Sequence, residues 1–400
     1  MQCKIRKHIL FALIILIIFS ITICSGCSSS AENTTYKTQH NNDVEPEENE
    51  SSNDQNNGEY IKIPPLNEEI SGLPLIQPIG NSITDTRLFP TKFGDEEYSI
   101  EIDVNRSVYL GAQKVNKKWP DDNLWYDEKL VVEYYSAFIN DPEMDKFIDE
   151  LLIPFERIKR TEKLNDGEFL ELMITFVQQI PYDNYAPTYP RYPVEVIHDE
   201  KGDCDEKSLL LLGMLSHEGY DIALILFPDE HHATAGIRIN PSGNPQFRVF
   251  ESPDKAKYFY IETTVPTFIG LYSEEYEHTS YVVIPIGEGG KRFDRVNYIC
   301  YITDRYTKIG DRLQFMNDQM DEWDSEIGEL EWQLQYGTYD TQDEWNNDYN
   351  RYLRLINNYN NYVEKVEKYL DVYVYIEEHP HDIAGVYRRI ENSKVMEIRI

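Results

Sequence analysis

The sequence has few cysteines, and their positions argue against a disulfide-stabilised scaffold. Only 5 of its 400 residues are cysteine, and Cys3, Cys24 and Cys27 belong to an N-terminal leader. Cys204 and Cys300 are the two that remain for the body of the chain. We therefore predict no structural disulfide, although the leader is that of an exported protein.

Positive charge is also scarce, and this excludes polyanionic partners. The chain has 38 Lys and Arg residues against 71 Asp and Glu residues, a formal net charge of −33. A surface of this sign repels nucleic acid and anionic lipid head groups. Motifs for nucleotides, flavins and structural metals are missing from the sequence as well. We predict no nucleic-acid partner and no cofactor.

The longest hydrophobic run lies at the N-terminus. Three basic residues between positions 4 and 7 precede the apolar residues 9–23, which is the pattern of a secretory signal. Ser25-Gly26 before Cys27 resembles a lipobox, the site where a prokaryotic lipoprotein is cleaved and lipidated, although Cys24 stands where Leu, Val or Ile is usual. We predict lipidation at Cys27, with simple cleavage or an uncleaved anchor as the alternatives.

The composition after this signal, residues 1–27, divides the chain into further segments. Residues 28–60 are mostly Ser, Asn, Glu, Asp and Gln with hardly an apolar residue, so we predict a disordered acidic tether. We assign residues 61–305 to the main domain with an N-terminal extension, 306–376 to a helical hairpin, and 377–400 to a segment that returns to the core. The protein is expected outside the cytoplasm, at the cell surface, tethered to the membrane by its N-terminus.

Helical spacing precedes residue 180 and β-rich runs follow residue 220, which is the order of an α+β domain. Phe169, Leu172 and Phe176 fall on one face of a helix predicted over 166–179. The other predictions before it are irregular structure over 61–90, a strand over 98–104, a turn over 106–111, and helices over 124–139 and 143–153.

Beyond residue 308 the apolar residues follow a heptad pattern. From Leu313 to Leu334 and from Trp345 to Leu370 they recur at alternating steps of three and four, which predicts two packed helices. Residues 337–340 predict a turn between them, and hence an antiparallel helical hairpin. Tyrosines in the seam leave two interpretations open, internal packing or a partner-binding or self-associating arm over 308–370. Short strands are predicted at 298–302, with Cys300 as a buried free thiol, at 371–376 and at 395–400.

The stretch around Cys204 combines a loop with an apolar helix. Asp203 and Glu206 have the spacing of a helix capping box, apolar residues continue over 209–215, and Gly219 ends the helix. A cysteine in the first helical turn lies near the positive end of the helix dipole, which lowers a thiol pKa. The neighbouring carboxylates oppose this effect, so an activated thiol here requires a cationic partner.

Two β-rich segments downstream supply the partners. Residues 222–237 form two runs around a turn that contains His231 and His232, and residues 258–264 contain Glu262. A histidine on one strand can face the cysteine while an acid on the next strand holds the imidazole. A buried small cysteine, a loop histidine and a solvated glutamate are the alternatives. A metal site over residues 229–232 is another, although no His-Glu-x-x-His spacing occurs.

Five segments in this part of the chain carry a family resemblance. They are Phe176–Tyr182, Tyr189–Glu195, Gly202–Cys204, His232–Ala233 and Glu262–Thr264. Over roughly residues 100–290 the chain resembles the transglutaminase-like cysteine enzyme superfamily, in its archaeal and bacterial secreted branch. The resemblance implies a papain-like α+β core, with helices packed on an antiparallel sheet.

The resemblance also implies the roles of three residues. Cys204 would be the nucleophile, His232 the base, and Glu262 the acid that orients the base. His232 is preferred to His231 because the family pattern is His followed by a small or aromatic residue. The family more often has Asp at the third position, within Asp-Pro-Thr, whereas this sequence has Glu-Thr-Thr, a variant associated with the secreted branch.

The predicted function is that of an exported, membrane-tethered thiol enzyme, a cysteine protease or transglutaminase-like acyl transferase. Its substrate would be a protein or peptide, and hydrolysis is favoured over transamidation because excluding water requires a closed site. A catalytically inactive binding or scaffold protein that uses the Tyr-rich hairpin is the alternative.

Two features beside the predicted site remain open to interpretation. Gln178 or Gln179 is a candidate oxyanion donor for acyl transfer. The Tyr- and Pro-rich residues 185–193 form either rigid surface packing or a wall of the substrate cleft, where a tyrosine or Arg191 would contact the acyl donor.

Overall fold

The computed structural model describes residues 73–118, 128–240, 248–272, 276 and 278–398. The predicted signal, the lipidation site at Cys27 and the tether over 28–60 lie outside these residues. Within the described ranges, no helix combines the length and the apolar character needed to cross a bilayer.

The first two strands of the described chain form an antiparallel β-hairpin. Strand β1, Thr84–Phe93, pairs along its whole length with strand β2, Glu96–Asn105. Ile100, Ile102 and Val104 of β2 are buried and alternate with exposed residues, as the strand predicted at 98–104 requires. The prediction of irregular structure as far as Pro90 is wrong from Thr84 onwards, because pairing with β2 orders this Pro-containing edge strand.

Helices fill the chain between this hairpin and the main sheet. The turn predicted at 106–111 is wrong, because the Asn105 side chain accepts the Ser107 backbone N–H and starts a helix there. The prediction over 166–179 is confirmed in both bounds. The helices are α1 (Arg106–Lys114), α2 (Glu128–Ala137), α3 (Pro142–Glu162), α4 (Asp166–Gln179), α5 (Pro193–Asp199) and α6 (Cys204–His217).

The main sheet is antiparallel and follows α6 in the chain. Its strands are β3 (Asp221–Phe227), β4 (His232–Arg238), β5 (Phe250–Glu251), β6 (Lys257–Ile261) and β7 (Val282–Glu288), in the order β5-β6-β4-β3-β7. Every residue of β3 is buried. The predicted α+β class, with helices and antiparallel sheets, is confirmed.

Helix α6 runs through the core and carries Cys204 at its start. Leu209–Leu215 are buried without interruption, because α6 packs against β3 and β4 as well as against α3 and α4. The predicted capping box of Asp203 and Glu206 is present. Gly219 follows the last turn with φ +80°, a backbone conformation that suits glycine at a helix C-terminus.

The C-terminal region is helical and contains the predicted antiparallel pair. Helix α7, Val296–Tyr336, is followed by helix α8, Gln342–Glu378. Tyr306 stacks on Tyr373 with ring centroids 4.6 Å apart, and Trp323 meets Tyr362 at 5.0 Å. From the first contact to the second, the residue number rises on α7 and falls on α8, so the two helices form an antiparallel hairpin.

The short strands predicted in this region are wrong. Cys300 lies in helix α7 and is a half-buried free thiol, and residues 371–376 belong to α8. Val395–Glu397 forms a turn of 3₁₀ helix. The β-rich composition of these runs is a weak preference, which the continuation of the long helices overrides.

One more helix follows the hairpin and packs on it. Helix α9, Ile383–Ser393, packs against both α7 and α8. The backbone N–H of Ile383 donates to Glu171 of α4 at 3.1 Å. All of the elements named above belong to one compact unit of the described chain.

Candidate functional site

Cys204 is the first residue of helix α6, which packs against strand β4. The backbone N–H groups of Ala233 and Asp205 are close enough to lower the pKa of the Cys204 thiol. Ala233 directly follows His232 at the start of β4. The strand that begins with the predicted base therefore adjoins the predicted nucleophile through its second residue, Ala233.

The environment of Cys204 keeps its thiol protonated. Burial, followed by the carboxyl groups of Asp205 and Asp203, which are ionised at the high pH where the thiol titrates, raises the pKa of the thiol to about 12. The backbone N–H groups of Ala233 and Asp205 have a smaller, opposite effect. The lowered pKa expected from the helix N-terminus is therefore not found. Desolvation and neighbouring carboxyl groups outweigh the helix dipole at this position.

His232 lies beside the predicted acid, and His231 does not. His232 begins β4, and its Nε2 is 3.0 Å from the hydroxyl of Tyr260 and 3.8 Å from Oε2 of Glu262. His231 is in the preceding turn, with φ 50° and an exposed side chain. The geometry thus favours the choice made from the sequence pattern.

Glu262 follows strand β6, and its carboxyl group is held at both oxygens. Oε1 accepts the backbone N–H groups of Thr263 at 2.9 Å and Thr264 at 2.8 Å, together with the Thr264 hydroxyl at 2.6 Å. Oε2 accepts the Tyr260 hydroxyl at 2.5 Å. Burial alone would raise the pKa of Glu262, but the charge of His232 and the donors from Thr264 and Tyr260 have the larger effect, so the pKa lies below its usual range. The group is a carboxylate at neutral pH.

Tyr260 is a residue of the site that sequence reasoning missed. Its hydroxyl lies between His232 and Glu262, and its side chain is fully buried. The sequence signal that could have identified Tyr260 is its position two residues before Glu262, because residues two apart on a strand point to the same face.

A single hydroxyl group joins the three segments that carry the predicted residues. Ser208 Oγ donates to the carbonyl oxygen of Cys204 at 2.6 Å and lies 3.4 Å from the carbonyl oxygen of Ala233. It is also 3.1 Å from the hydroxyl of Thr263. The starts of α6 and β4 and the residues after β6 therefore meet at one point.

Arg191 anchors the loop before Cys204. Its guanidinium donates to both carboxylate oxygens of Glu206, at 2.8 and 2.7 Å, and to Asp183 at 2.9 Å. Glu206 in turn accepts the backbone N–H of Asp203 at 3.0 Å. Arg191, Glu206 and Asp183 are buried. Internal packing, not contact with an acyl donor, is the role that these bonds indicate for Arg191.

The two glutamines considered as oxyanion donors have other partners. The amide nitrogen of Gln178 donates to the carbonyl oxygens of Glu262 at 2.7 Å and Thr267 at 3.0 Å. The amide of Gln179 exchanges two hydrogen bonds with the backbone of Lys92. Gln178 instead fixes the backbone at Glu262, and neither amide nitrogen points to Cys204.

No grouping of three or more His, Cys, Asp or Glu side chains suited to a metal ion occurs in the described part of the chain. No family profile, curated protein or solved structure matches this chain. The chemistry of the site is therefore the basis for its function.

Proposed function

We propose that this protein is an exported, membrane-tethered thiol enzyme that hydrolyses peptide or other acyl bonds through Cys204, His232 and Glu262. The observation that supports it is the hydrogen-bonded chain from His232 through Tyr260 to Glu262, in which His232 begins the strand that packs against the Cys204 helix. The fold implied by this proposal is papain-like, with the cysteine helix packed on the strand that begins with the histidine.

In the proposed first step, the thiol loses its proton as it attacks. The resting Cys204 is neutral because its pKa is raised to about 12. Nδ1 of His232 takes the proton while sulfur bonds to the carbonyl carbon of the substrate. The backbone N–H of Cys204 is a candidate donor to the oxyanion. The carbon–nitrogen bond then breaks, and the imidazolium returns the proton to the leaving amine.

In the proposed second step, water releases the acyl group. His232 removes a proton from water, which attacks the thioester and yields a carboxylic acid and the free thiol. The carboxylate of Glu262, acting through Tyr260, stabilises the imidazolium in both steps. An amine in place of water would give transamidation through the same intermediate.

Acylation of Cys204 by p-nitrophenyl acetate tests the proposal on the full chain. Acid-quenched samples mapped by mass spectrometry should carry acetyl on Cys204 in the wild type and in His231→Gln. In His232→Gln, acetylation of Cys204 should be at least about 100-fold slower than in the wild type, because the base is lost. His231 is the matched control because it is the adjacent, exposed histidine. Equal acylation of Cys204 in the wild type and in His232→Gln would contradict the proposed function.

A binding or scaffold protein is the second candidate, and two observations favour it. The Cys204 thiol has a raised pKa, so it is not a resting nucleophile. Phe315, Trp332 and Tyr336 expose 56%, 60% and 64% of their surface on the helical hairpin, as a recognition arm would. This candidate predicts no acylation of Cys204 in the wild type and retained binding of a partner by Cys204→Ala.

A further inference from the structure

We infer that Tyr260 is a positioning residue, which links His232 to Glu262 and fixes the imidazole tautomer whose basic nitrogen is Nδ1. The importance of this tautomer for catalysis rests on the proposed function. The tautomer itself follows from the hydrogen bonds and is measurable without a substrate.

The distances assign the link to the phenol. Nε2 of His232 and Oε2 of Glu262 are 3.8 Å apart, which is too far for a hydrogen bond. The Tyr260 hydroxyl is 3.0 Å from the first atom and 2.5 Å from the second. Both distances are within hydrogen-bonding range. The acid therefore reaches the imidazole only through the hydroxyl.

The direction of each bond follows from what each group can donate. An ionised carboxylate only accepts, so the Tyr260 hydroxyl must donate its proton to Glu262. The same oxygen can then only accept from the ring, which requires the proton of a neutral His232 to be on Nε2. Nδ1 keeps its lone pair and is the basic nitrogen.

The carboxyl group cannot rotate to change this pattern. Oε1 of Glu262 is held by three donors from Thr263 and Thr264. A glutamine at this position would keep its carbonyl oxygen there, because an amide NH₂ cannot accept these bonds. Its nitrogen would then occupy the place of Oε2 and donate to Tyr260. The phenol proton would turn to Nε2, and the ring proton would move to Nδ1.

Nitrogen-15 NMR of the histidine rings in the full chain tests this inference, at a pH where His232 is neutral. His232→Gln identifies the signal by its loss. We expect Nε2–H in the wild type and Nδ1–H in Glu262→Gln. Tyr260→Phe should return the ring to the tautomer mixture of a free neutral histidine, with a measurable share of Nδ1–H, and adding Glu262→Gln to it should cause no further change. Tyr220→Phe is the matched control, since this buried hydroxyl bonds to the Asp166 carbonyl oxygen, outside the site.

A kinetic readout accompanies the spectra. Alkylation of Cys204 by iodoacetamide at neutral pH should be roughly 10- to 100-fold slower in Tyr260→Phe than in the wild type. This factor corresponds to the free energy of a hydrogen bond to a charged group. The rate should be unchanged in Tyr220→Phe. The inference is overturned by an Nε2–H signal in Glu262→Gln, or by a wild-type tautomer and rate in Tyr260→Phe. Alkylation that does not depend on His232 would instead overturn the proposed function and leave the tautomer assignment standing.

Discussion

At the residue scale, the acidic neighbours of Cys204 are as distinctive as the thiol. Burial, followed by the hydrogen bond with Asp205, raises the pKa of Asp203 to about 9. Asp203 also caps helix α6 by accepting the backbone N–H of Glu206. One carboxyl group therefore holds a proton at neutral pH while it performs a structural task.

Replacing Asp203 by Asn should change how stability depends on pH. The folded protein keeps a proton on Asp203 that the unfolded chain releases above about pH 4. The contribution of this group to stability therefore falls as the pH rises from about 4 to about 9. Asp203→Asn can still cap the helix but does not titrate. The unfolding free energy of the variant, measured with denaturant, should fall less steeply with pH over this range than that of the wild type. The two slopes should differ by up to about 1.4 kcal/mol per pH unit.

A distant aspartate provides the control for that measurement. Asp321→Asn removes an exposed carboxyl group of helix α7, and its pH profile should match the wild type. Parallel profiles for the wild type and Asp203→Asn would mean that Asp203 is ionised in the folded protein.

Residue-level predictions were correct where the information is local. The cap formed by Asp203 and Glu206 spans four consecutive positions, so its spacing alone specified it. The raised thiol pKa of Cys204 is due mainly to burial by distant segments, which the local sequence does not show. Tyr260 was overlooked although its alternation with Glu262 was readable, because nothing local distinguishes a bridging phenol from a core tyrosine.

At the element scale, the start of helix α6 is held by buried ionic bonds. Arg191 and its partners Glu206 and Asp183 have side-chain exposures of 8%, 0% and 5%. Removing one member of such a group leaves the others charged and without compensation, which typically costs more than the pair contributes.

Arg191→Met should therefore destabilise the protein by about 3–5 kcal/mol in denaturant unfolding. Arg160→Met is the matched control, because Arg160 forms an ion pair with Glu156 one turn away on α3 and is 68% exposed. Exposed pairs of this kind contribute about 0–1 kcal/mol. Similar losses in the two variants would show that the buried bonds of Arg191 are not decisive.

Elements were predictable where one periodic pattern had clear ends. Helix α4 has an apolar face and a capping box at Asn165, so both bounds were correct. Helix α5, Pro193–Asp199, is too short for periodicity to reveal. Runs of Val, Ile and Tyr near the ends of α7 and α8 favoured strands locally, while the packing of long helices decided the outcome.

At the scale of the whole molecule, the helical hairpin is unevenly supported. The buried residues of α8 lie between Tyr359 and Ile376, next to the contacts with α9. Residues 313–350 at the far end contain no Lys, Arg or His. Few buried side chains and uncompensated negative charge both lower the local stability of the hairpin at that end.

Hydrogen exchange should be graded along the hairpin. Backbone amides of residues 346–352 should exchange at least about tenfold faster than those of residues 362–372, because local opening there exposes little apolar surface. Added NaCl should narrow the difference by screening the carboxylates. Mass spectrometry of peptides from the full chain gives both rates, and the inner segment is the internal control. Equal protection at low salt would contradict this gradient.

The hydrogen bonds at Oε1 of Glu262 make the length of the acidic side chain important. One oxygen is fixed in the turn at Thr263 and Thr264, so the other reaches only as far as the phenol. Aspartate, shorter by one methylene, would have to abandon either the turn or the phenol. The side-chain lengths of Glu262 and Tyr260 therefore depend on each other. Glu262→Asp alone would leave the acid and the phenol too far apart to hydrogen-bond, and a second substitution would be needed to restore the bond.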